Sequence, residues 1–370
     1  SRTSVYHAQT SRPMNYLLSG YYGFGNAGDE AVLCSVMDAI KAQDAQAHFT
    51  ITSGDPNSTQ ERYGNEYSIA AIPRQNPRAL IAAIRSCDMF ISGGGSLLQD
   101  VTSLRNVVYY SGLMRLARLM RKPVVVYAQG IGPLNKKLSQ KLARAAVQGA
   151  RVVTVRDNDS KTLLERIGVR RKIEVVADPV WALQPTQSEA RANSSIWNVA
   201  LRSWPNVENE QAIEYSKRTF TAIWQAARQS DVTLRFLPMQ PVEDAPLAKT
   251  YRGEMSECDE IVEMNDLHPR DVMAHCGQAD VMIAMRLHAL IFAAAQGVPC
   301  VAINYDPKVE SLAKLIGAPL LGIEDLRDSN RVLDAVRTAR PLAPQQLQEM
   351  KDKAARPAQL AVGALHVKSK

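Results

Sequence analysis

Along most of the 370-residue chain, short apolar runs alternate with segments whose apolar residues recur at helical spacing. The runs at 15–21 (NYLLSGY), 48–53 (HFTITS), 88–92 (DMFIS), 123–128 (PVVVYA), 151–155 (RVVTV) and 173–177 (IEVVA) predict strands. They are rich in β-branched residues and lack strict alternation, as in strands covered on both faces. Helical spacing at 29–43, 77–86, 104–121, 136–149 and 159–167 fills the gaps. The rhythm stops at 178–195, where proline, serine and polar residues accumulate. It resumes with strands at 197–201 (WNVAL), 232–237 (VTLRFL), 280–284 (DVMIA) and 299–304 (PCVAIN), and helices at 207–229, 268–276 and 287–296. One more helical pattern covers 344–362.

This βαβα order predicts an α/β protein with two Rossmann-like, doubly wound domains. The length also favours two cores over one. The expected division is a loose tail or tag remnant at 1–13, a first domain at 14–180, a linker at 181–195, a second domain at 196–340, and a C-terminal helix and tail at 341–370. Doubly wound sheets bind ligands at the carboxyl ends of their strands, so a cleft between the domains is the expected site.

Hydrophobic residues make up 46% of the chain and charged residues 22%, a globular balance. The longest apolar runs, of about ten residues, are too short to span a bilayer. No secretory signal is recognisable, which predicts a cytoplasmic protein. The five cysteines, at 34, 87, 258, 276 and 300, form no CxxC pair and read as reduced core residues. No Cys/His set has ligand spacing, so no metal is expected. The net charge of +7 suits an anionic partner. Basic residues are scattered, without the aromatic-interleaved block of a nucleic-acid binder. The clusters at 116–122 (LARLMRK) and 166–172 (RIGVRRK) read as solvated faces, or alternatively as contacts with an anionic membrane or a phosphorylated acceptor.

Candidate chemistry gathers at predicted strand ends. GFGNAG (23–28) lies between a strand and a helix, the setting of a dinucleotide-binding turn. Asp29 and Glu30 follow it, placing negative charge where a pyrophosphate would sit. A capped structural turn, a sugar-acceptor loop and a nicotinamide or flavin site all remain open for it. ISGGGSLLQD (91–100) and AQGIGP (128–133) also follow strands and allow close backbone approach. In VRDNDS (155–160), Asp157 reads as a helix cap. The second half places cationic side chains at strand ends: Arg202 in NVALRSW, Arg286 and His288 in AMRLHAL, and Lys308 in NYDPK. Convergence of these groups, with a helix N-terminus at Leu287, predicts a small, strongly anionic ligand.

Taken together, GYYGFGNAGDEA, ISGGGSLLQD, YAQGIGPL, VRDNDSKTLLERIGV, the ADP of 177–179, ALRSW, AMRLHALIFAAAQGVP and NYDPK resemble polysaccharide pyruvyl transferases in order and spacing. The resemblance runs over about 16–320 and is nearest to the bacterial members that modify secondary cell-wall polymers. It implies a GT-B-like fold, phosphoenolpyruvate as a donor substrate, no cofactor, and a pyruvate ketal on a sugar as product. For the cell-wall members it implies a 4,6-linked ketal on N-acetylmannosamine, within a lipid-diphosphate-linked oligosaccharide that serves S-layer anchoring. It implies donor binding by Arg202, Arg286, Leu287, His288 and Lys308, with Arg286 and His288 catalytic. Acceptor binding is expected at Asn26, Asp29, Gly94, Gly95 and Gln129. A homo-oligomer and peripheral attachment to the inner face of the cell membrane are compatible with this reading.

Two arginines suit the carboxylate and phosphate of the donor, either way round, since each charge-assisted hydrogen bond nets roughly 1.5–3 kcal/mol. Ketal formation needs a proton on the methylene carbon and two hydroxyl attacks on the central carbon. His288 could act as acid, base or phosphate contact. The main rival is a GT-B glycosyltransferase using a nucleotide sugar, with Asp306 or Glu310 gripping a ribose. A dehydrogenase and a lectin-like binder of anionic glycans are further alternatives.

Overall fold

A computed structural model describes residues 12–188 and 194–366. Most of the expected tail, part of the expected linker and the last four residues therefore lie outside the described residues. At the near end of the tail, Arg12 donates to Asp88.

The first sheet is built from β1 (Asn15–Ser19), β2 (His48–Ser53), β3 (Ser68–Pro73), β4 (Met89–Gly93), β5 (Val124–Gln129), β6 (Val152–Val155) and β7 (Glu174–Val175). All pairs are parallel, in the order β3-β2-β1-β4-β5-β6-β7. Its helices are α1 (Ala27–Gln43), α2 (Pro56–Tyr63), α3 (Pro77–Ser86), α4 (Leu104–Leu119), α5 (Lys137–Gln148) and α6 (Asn158–Arg166). The second sheet comprises β8 (Ile196–Ala200), β9 (Thr233–Phe236), β10 (Glu260–Ile261), β11 (Val281–Ala284), β12 (Cys300–Ile303) and β13 (Leu320–Leu321), in the order β10-β9-β8-β11-β12-β13. It is accompanied by α7 (Asn209–Ser230), α8 (Pro241–Thr250), α9 (Pro269–Gly277), α10 (Leu287–Ala295), α11 (Pro307–Ile316), α12 (Ser329–Thr338) and α13 (Pro344–His366).

Local chemistry explains the boundaries. Asp157 accepts from the Ser160 amide at 2.7 Å and starts α6, as its position predicts. Asn76 caps α3, with Pro77 at the first helical position. The central strands β4 and β5 are buried at every residue, which is why they read as continuous apolar runs. Helix α10 buries Ala289 through Ala295. Its Leu290, Ile291 and Phe292 each contribute roughly 1.5–3 kcal/mol of burial.

Contacts divide the chain into two compact units. One holds the described residues of Ser1–Phe24, Val36–Val176 and Ala355–Lys370; the other holds those of Gly25–Ser35 and Ala177–Ala354. The division after Val176 precedes the expected linker, because Pro179, Val180 and Trp181 are buried and group with the second unit. Both units are doubly wound. The strand order reverses between β1 and β4 in the first and between β8 and β11 in the second. Crevices at such reversals are the habitual ligand sites of open α/β sheets. All five cysteines are free; four are buried and Cys258 is exposed.

Candidate active site of the second unit

Strands β8 and β11 pair in register up to Ala200 and Ala284. The Met285 amide continues the ladder, donating to the Ala200 carbonyl at 2.9 Å. Arg202 and Arg286 therefore leave neighbouring strand ends at the reversal point of this sheet.

Arg286 is anchored by carboxylates. Its Nε donates to Asp244 Oδ2 at 3.0 Å, a second nitrogen donates to Asp244 Oδ1, and Glu243 lies 3.3 Å away. Asp244 has no exposed side-chain surface, whereas Glu243 is 62% exposed. Burial raises the Asp244 pKa, against the pull of Arg286. Burial works against the Arg286 charge too, yet the Asp244 bonds hold its pKa above the ordinary value. The two shifts stress opposite sides of one pair. The forked contact with a fully buried carboxylate favours the ionised pair. Arg286 thus enters the site with its fork already occupied, a feature that its strand-end position does not reveal.

His288 lies in the first turn of α10. Its Nε2 is 3.1 Å from Asp178 Oδ2, and Asp178 is 4% exposed. The other oxygen of Asp178 accepts from the Val180 amide at 3.1 Å, which fixes the carboxylate. A Cβ placed on Gly28 would stand 2.2 Å from His288 Nδ1. The third glycine of GFGNAG is therefore needed to admit the imidazole, within the same unit. A carboxylate on one side and the first turn of α1 on the other orient this ring.

Arg202 differs from Arg286. Its guanidinium lies over the Tyr305 ring, 5.5 Å from the centroid, and its Nε is 3.3 Å from the Ser203 carbonyl. No carboxylate pairs with it among the described residues. Tyr305 is also among the groups whose charge acts on Arg286. Leu287 is the first residue of α10, whose N-terminus has no side-chain cap, so its first-turn amides can meet an anion. Lys308 lies in the first turn of α11, and its amide donates to Asp306 Oδ1 at 2.8 Å. Asp306 therefore serves as a helix cap, and Glu310 accepts from Lys314 at 2.8 Å.

The expected acceptor residues divide between the two units. Asn26 and Asp29 group with the second unit, where Asn26 Oδ1 accepts from the amides of Gly28 and Asp29 and caps α1. Gly94 and Gly95 have positive φ, +58° and +69°, in the turn after β4 of the first unit. Gln129 is fully buried and donates to the Ser92 carbonyl at 2.9 Å. It braces β5 against β4. Sequence reasoning missed Asp178 and Asp244 as site residues. Asp178 stood within a recognised motif; Asp244 carried no signal.

A fold and site of this kind define a doubly wound α/β protein with cationic side chains at a strand reversal, and the comparisons supply its family. The profile described as polysaccharide pyruvyl transferase matches residues 26–307, and the chain belongs to that family. It is 22% identical to the amylovoran biosynthesis protein AmsJ of Erwinia amylovora, over 86% of this chain and 90% of that one. The fold resembles the UDP-GlcNAc 2-epimerase of Methanocaldococcus jannaschii, with a TM-score of 0.64, 12% identity, and coverage of 95% of this chain and 99% of that one. It also resembles a UDP-N-acetylglucosamine 2-epimerase of Listeria monocytogenes, with a TM-score of 0.62, 11% identity and 98% coverage of each. Each unit is Rossmann-like, and the fold class is GT-B-like, as the family resemblance implies. No helix among the described residues is long and apolar enough to cross a membrane.

Proposed function

We infer that the protein transfers the enolpyruvyl group of phosphoenolpyruvate to a sugar, forming a pyruvate ketal and releasing phosphate. One observation carries the donor assignment: Arg202, partly buried at the reversal point of the second sheet, pairs with no carboxylate among the described residues. An anionic donor supplies the missing partner. The uncapped N-terminus of α10 and Lys308 add positive character. Arg286, held by Asp244, shapes the donor pocket and supplies charge from a fixed position.

His288 is the group that moves a proton. Its partner Asp178 holds the ring in one orientation. The methylene carbon gains a proton and becomes a methyl group. One sugar hydroxyl adds to the central carbon and gives its proton to His288, replacing the one His288 delivers to the methylene; phosphate leaves with the second hydroxyl's proton, and that hydroxyl closes the ketal. The acceptor of the cell-wall reading is N-acetylmannosamine in a lipid-diphosphate-linked oligosaccharide at the inner face of the membrane, with a 4,6-linked ketal. Likeness to an amylovoran biosynthesis protein favours a second reading of the acceptor alone, an exopolysaccharide repeat unit.

The test is incubation with phosphoenolpyruvate and each lipid-diphosphate oligosaccharide, read by mass spectrometry and phosphate release. Gain of a pyruvate ketal with stoichiometric phosphate supports the reaction, and the acceptor that gains it selects between the readings. Phosphate release without a ketal, or no reaction with either acceptor, overturns it.

A further inference from the structure

The first unit carries a second cluster, at the carboxyl ends of β1, β2 and β3. In the loop after β1, Tyr22 points inward and donates to the Gly93 carbonyl at 2.8 Å. Gly23, at φ +79°, turns the chain so tightly that a Cβ there would lie 2.1 Å from Ser53 Oγ. That turn throws Tyr21 and Phe24 to the other side, where their rings stack at 4.2 Å with an interplanar angle of 13°. Tyr21 is 41% exposed. Gly54 lets Phe24 lie flat on the backbone, since a Cβ there would stand 2.7 Å from its ring.

Arg74 sits among these rings. Its guanidinium is 5.9 Å from the Tyr21 ring centroid, 5.3 Å from Phe24, 4.6 Å from Tyr109 and 5.6 Å from Tyr110. Its backbone is fixed at both ends: the amide donates to Ser53 at 3.0 Å, and the carbonyl accepts from Tyr109 Oη at 2.7 Å. Its Nε is buried without a hydrogen-bond partner, and no carboxylate pairs with it among the described residues. Aromatic faces hold the charge in place but leave its hydrogen-bonding donors unmatched by any anion.

We propose that Tyr21, Phe24 and Arg74 form a subsite for a sugar phosphate. The apolar face of the pyranose rests on the Tyr21–Phe24 stack, and the phosphate meets the Arg74 fork. A flat, partly exposed aromatic pair suits the C–H face of a sugar, and a planar guanidinium suits a phosphate. The loop after β1 and Gly94–Gly95 flank the reversal point of this sheet, where ligands approach backbone closely. This assignment deepens the acceptor side of the proposed function and rests on it, because the phosphate is that of the sugar diphosphate.

Binding without donor separates the two ideas. Ligand-observed NMR titrations use N-acetylglucosamine 1-phosphate, N-acetylglucosamine and glucuronate against the wild type, Tyr21→Ala and Arg74→Met. The sugar phosphate is expected to bind tightest. Each variant should weaken it roughly tenfold or more, about the loss of one charge-assisted bond or one stacked ring. N-acetylglucosamine should respond to Tyr21→Ala and not to Arg74→Met. Phosphoenolpyruvate affinity and the melting temperature serve as controls and should hold in both variants. Affinities unchanged by either substitution would overturn the subsite, and glucuronate binding as tightly as the sugar phosphate would overturn the phosphate assignment. Absence of pyruvyl transfer by the wild type would instead count against the reaction.

Discussion

The two sheets share one winding scheme and carry different chemistry at the same place. In each, four strands in sequence leave a reversal between the first and the fourth, β1 and β4 or β8 and β11. The first unit furnishes that edge with glycine turns and aromatic rings, and its Arg74 is held by π faces. The second furnishes it with arginine, histidine and buried carboxylates, and its Arg286 is held by Asp244. Winding determines where a ligand can sit. The residues just beyond each strand set its chemistry: glycine turns and aromatic rings in the first case, arginine, histidine and buried carboxylates in the second.

Replacing His288 strikes at the chemistry of the second edge alone. His288→Gln keeps an amide that can donate to Asp178, so the fold should survive. Loss of a positioned proton-transfer group should lower kcat by about 10²–10⁴-fold, with little change in melting temperature. Near-wild-type turnover would make the histidine a spacer against Gly28. Next in size is Asp244→Ala, which leaves Arg286 buried without its main partner. Uncompensated buried charge costs about 3–5 kcal/mol, a stability loss measurable by urea titration. Arg74→Ala in the first unit, where no carboxylate is left behind, should lose clearly less. Equal losses would erase the distinction between π-held and carboxylate-held arginines.

Most of this architecture was legible in the alternation of apolar runs and helical spacing. Helix α3 matches its predicted range of 77–86, and the four long runs of the second half all became strands. Several misses have local causes. Strand β3 (SIAAIP) lies at a sheet edge and buries no residue fully, and its apolar run, Ile69–Ile72, is short and half alanine. Strands β10 and β13 have two residues each, too few for any period. Helix α2 (PNSTQERY) is polar almost throughout and is held by its Asp55 cap instead of an apolar stripe. At the site, a strand end exposes a cation's position to sequence reading, but not its partner. Asp178 and His288 are 110 positions apart, and Asp244 and Arg286 are 42 apart. Only the folded chain makes these pairs.

A smaller effect separates the two arginines of the second edge. Arg202→Lys keeps the charge but loses the fork and the stacking on Tyr305. Donor KM should rise roughly tenfold while stability holds. Arg286→Lys should show the reverse emphasis, because its fork serves Asp244: a lower melting temperature with a smaller change in donor KM. Matching KM shifts in both variants, with stability intact, would mean that both forks reach the donor.

The finest distinction between the units is their response to acid. In the second unit, Arg235 donates to His275 Nδ1 at 3.0 Å and to Glu260 at 2.6 Å. Burial, then the Arg235 charge, lowers the His275 pKa against the opposing pull of Glu260 and Asp271. A depressed histidine means that the unfolded chain binds its proton first. The stability it contributes is full above the unfolded value of about 6.5 and is lost as pH falls below it. In the first unit, Asp100 accepts from the amides of Asn135 and Lys136 at 2.9 and 2.8 Å. Burial alone would raise its pKa, yet these bonds hold it below the ordinary range, so its contribution persists down to about pH 4. Wild type must be compared with His275→Gln, whose side-chain oxygen can still accept from Arg235. Melting temperatures at pH 7.5 and 5.5 should show the wild type losing more stability than the variant. Parallel losses would mean that His275 takes up its proton equally well folded and unfolded, and that the arginine beside it exerts no hold.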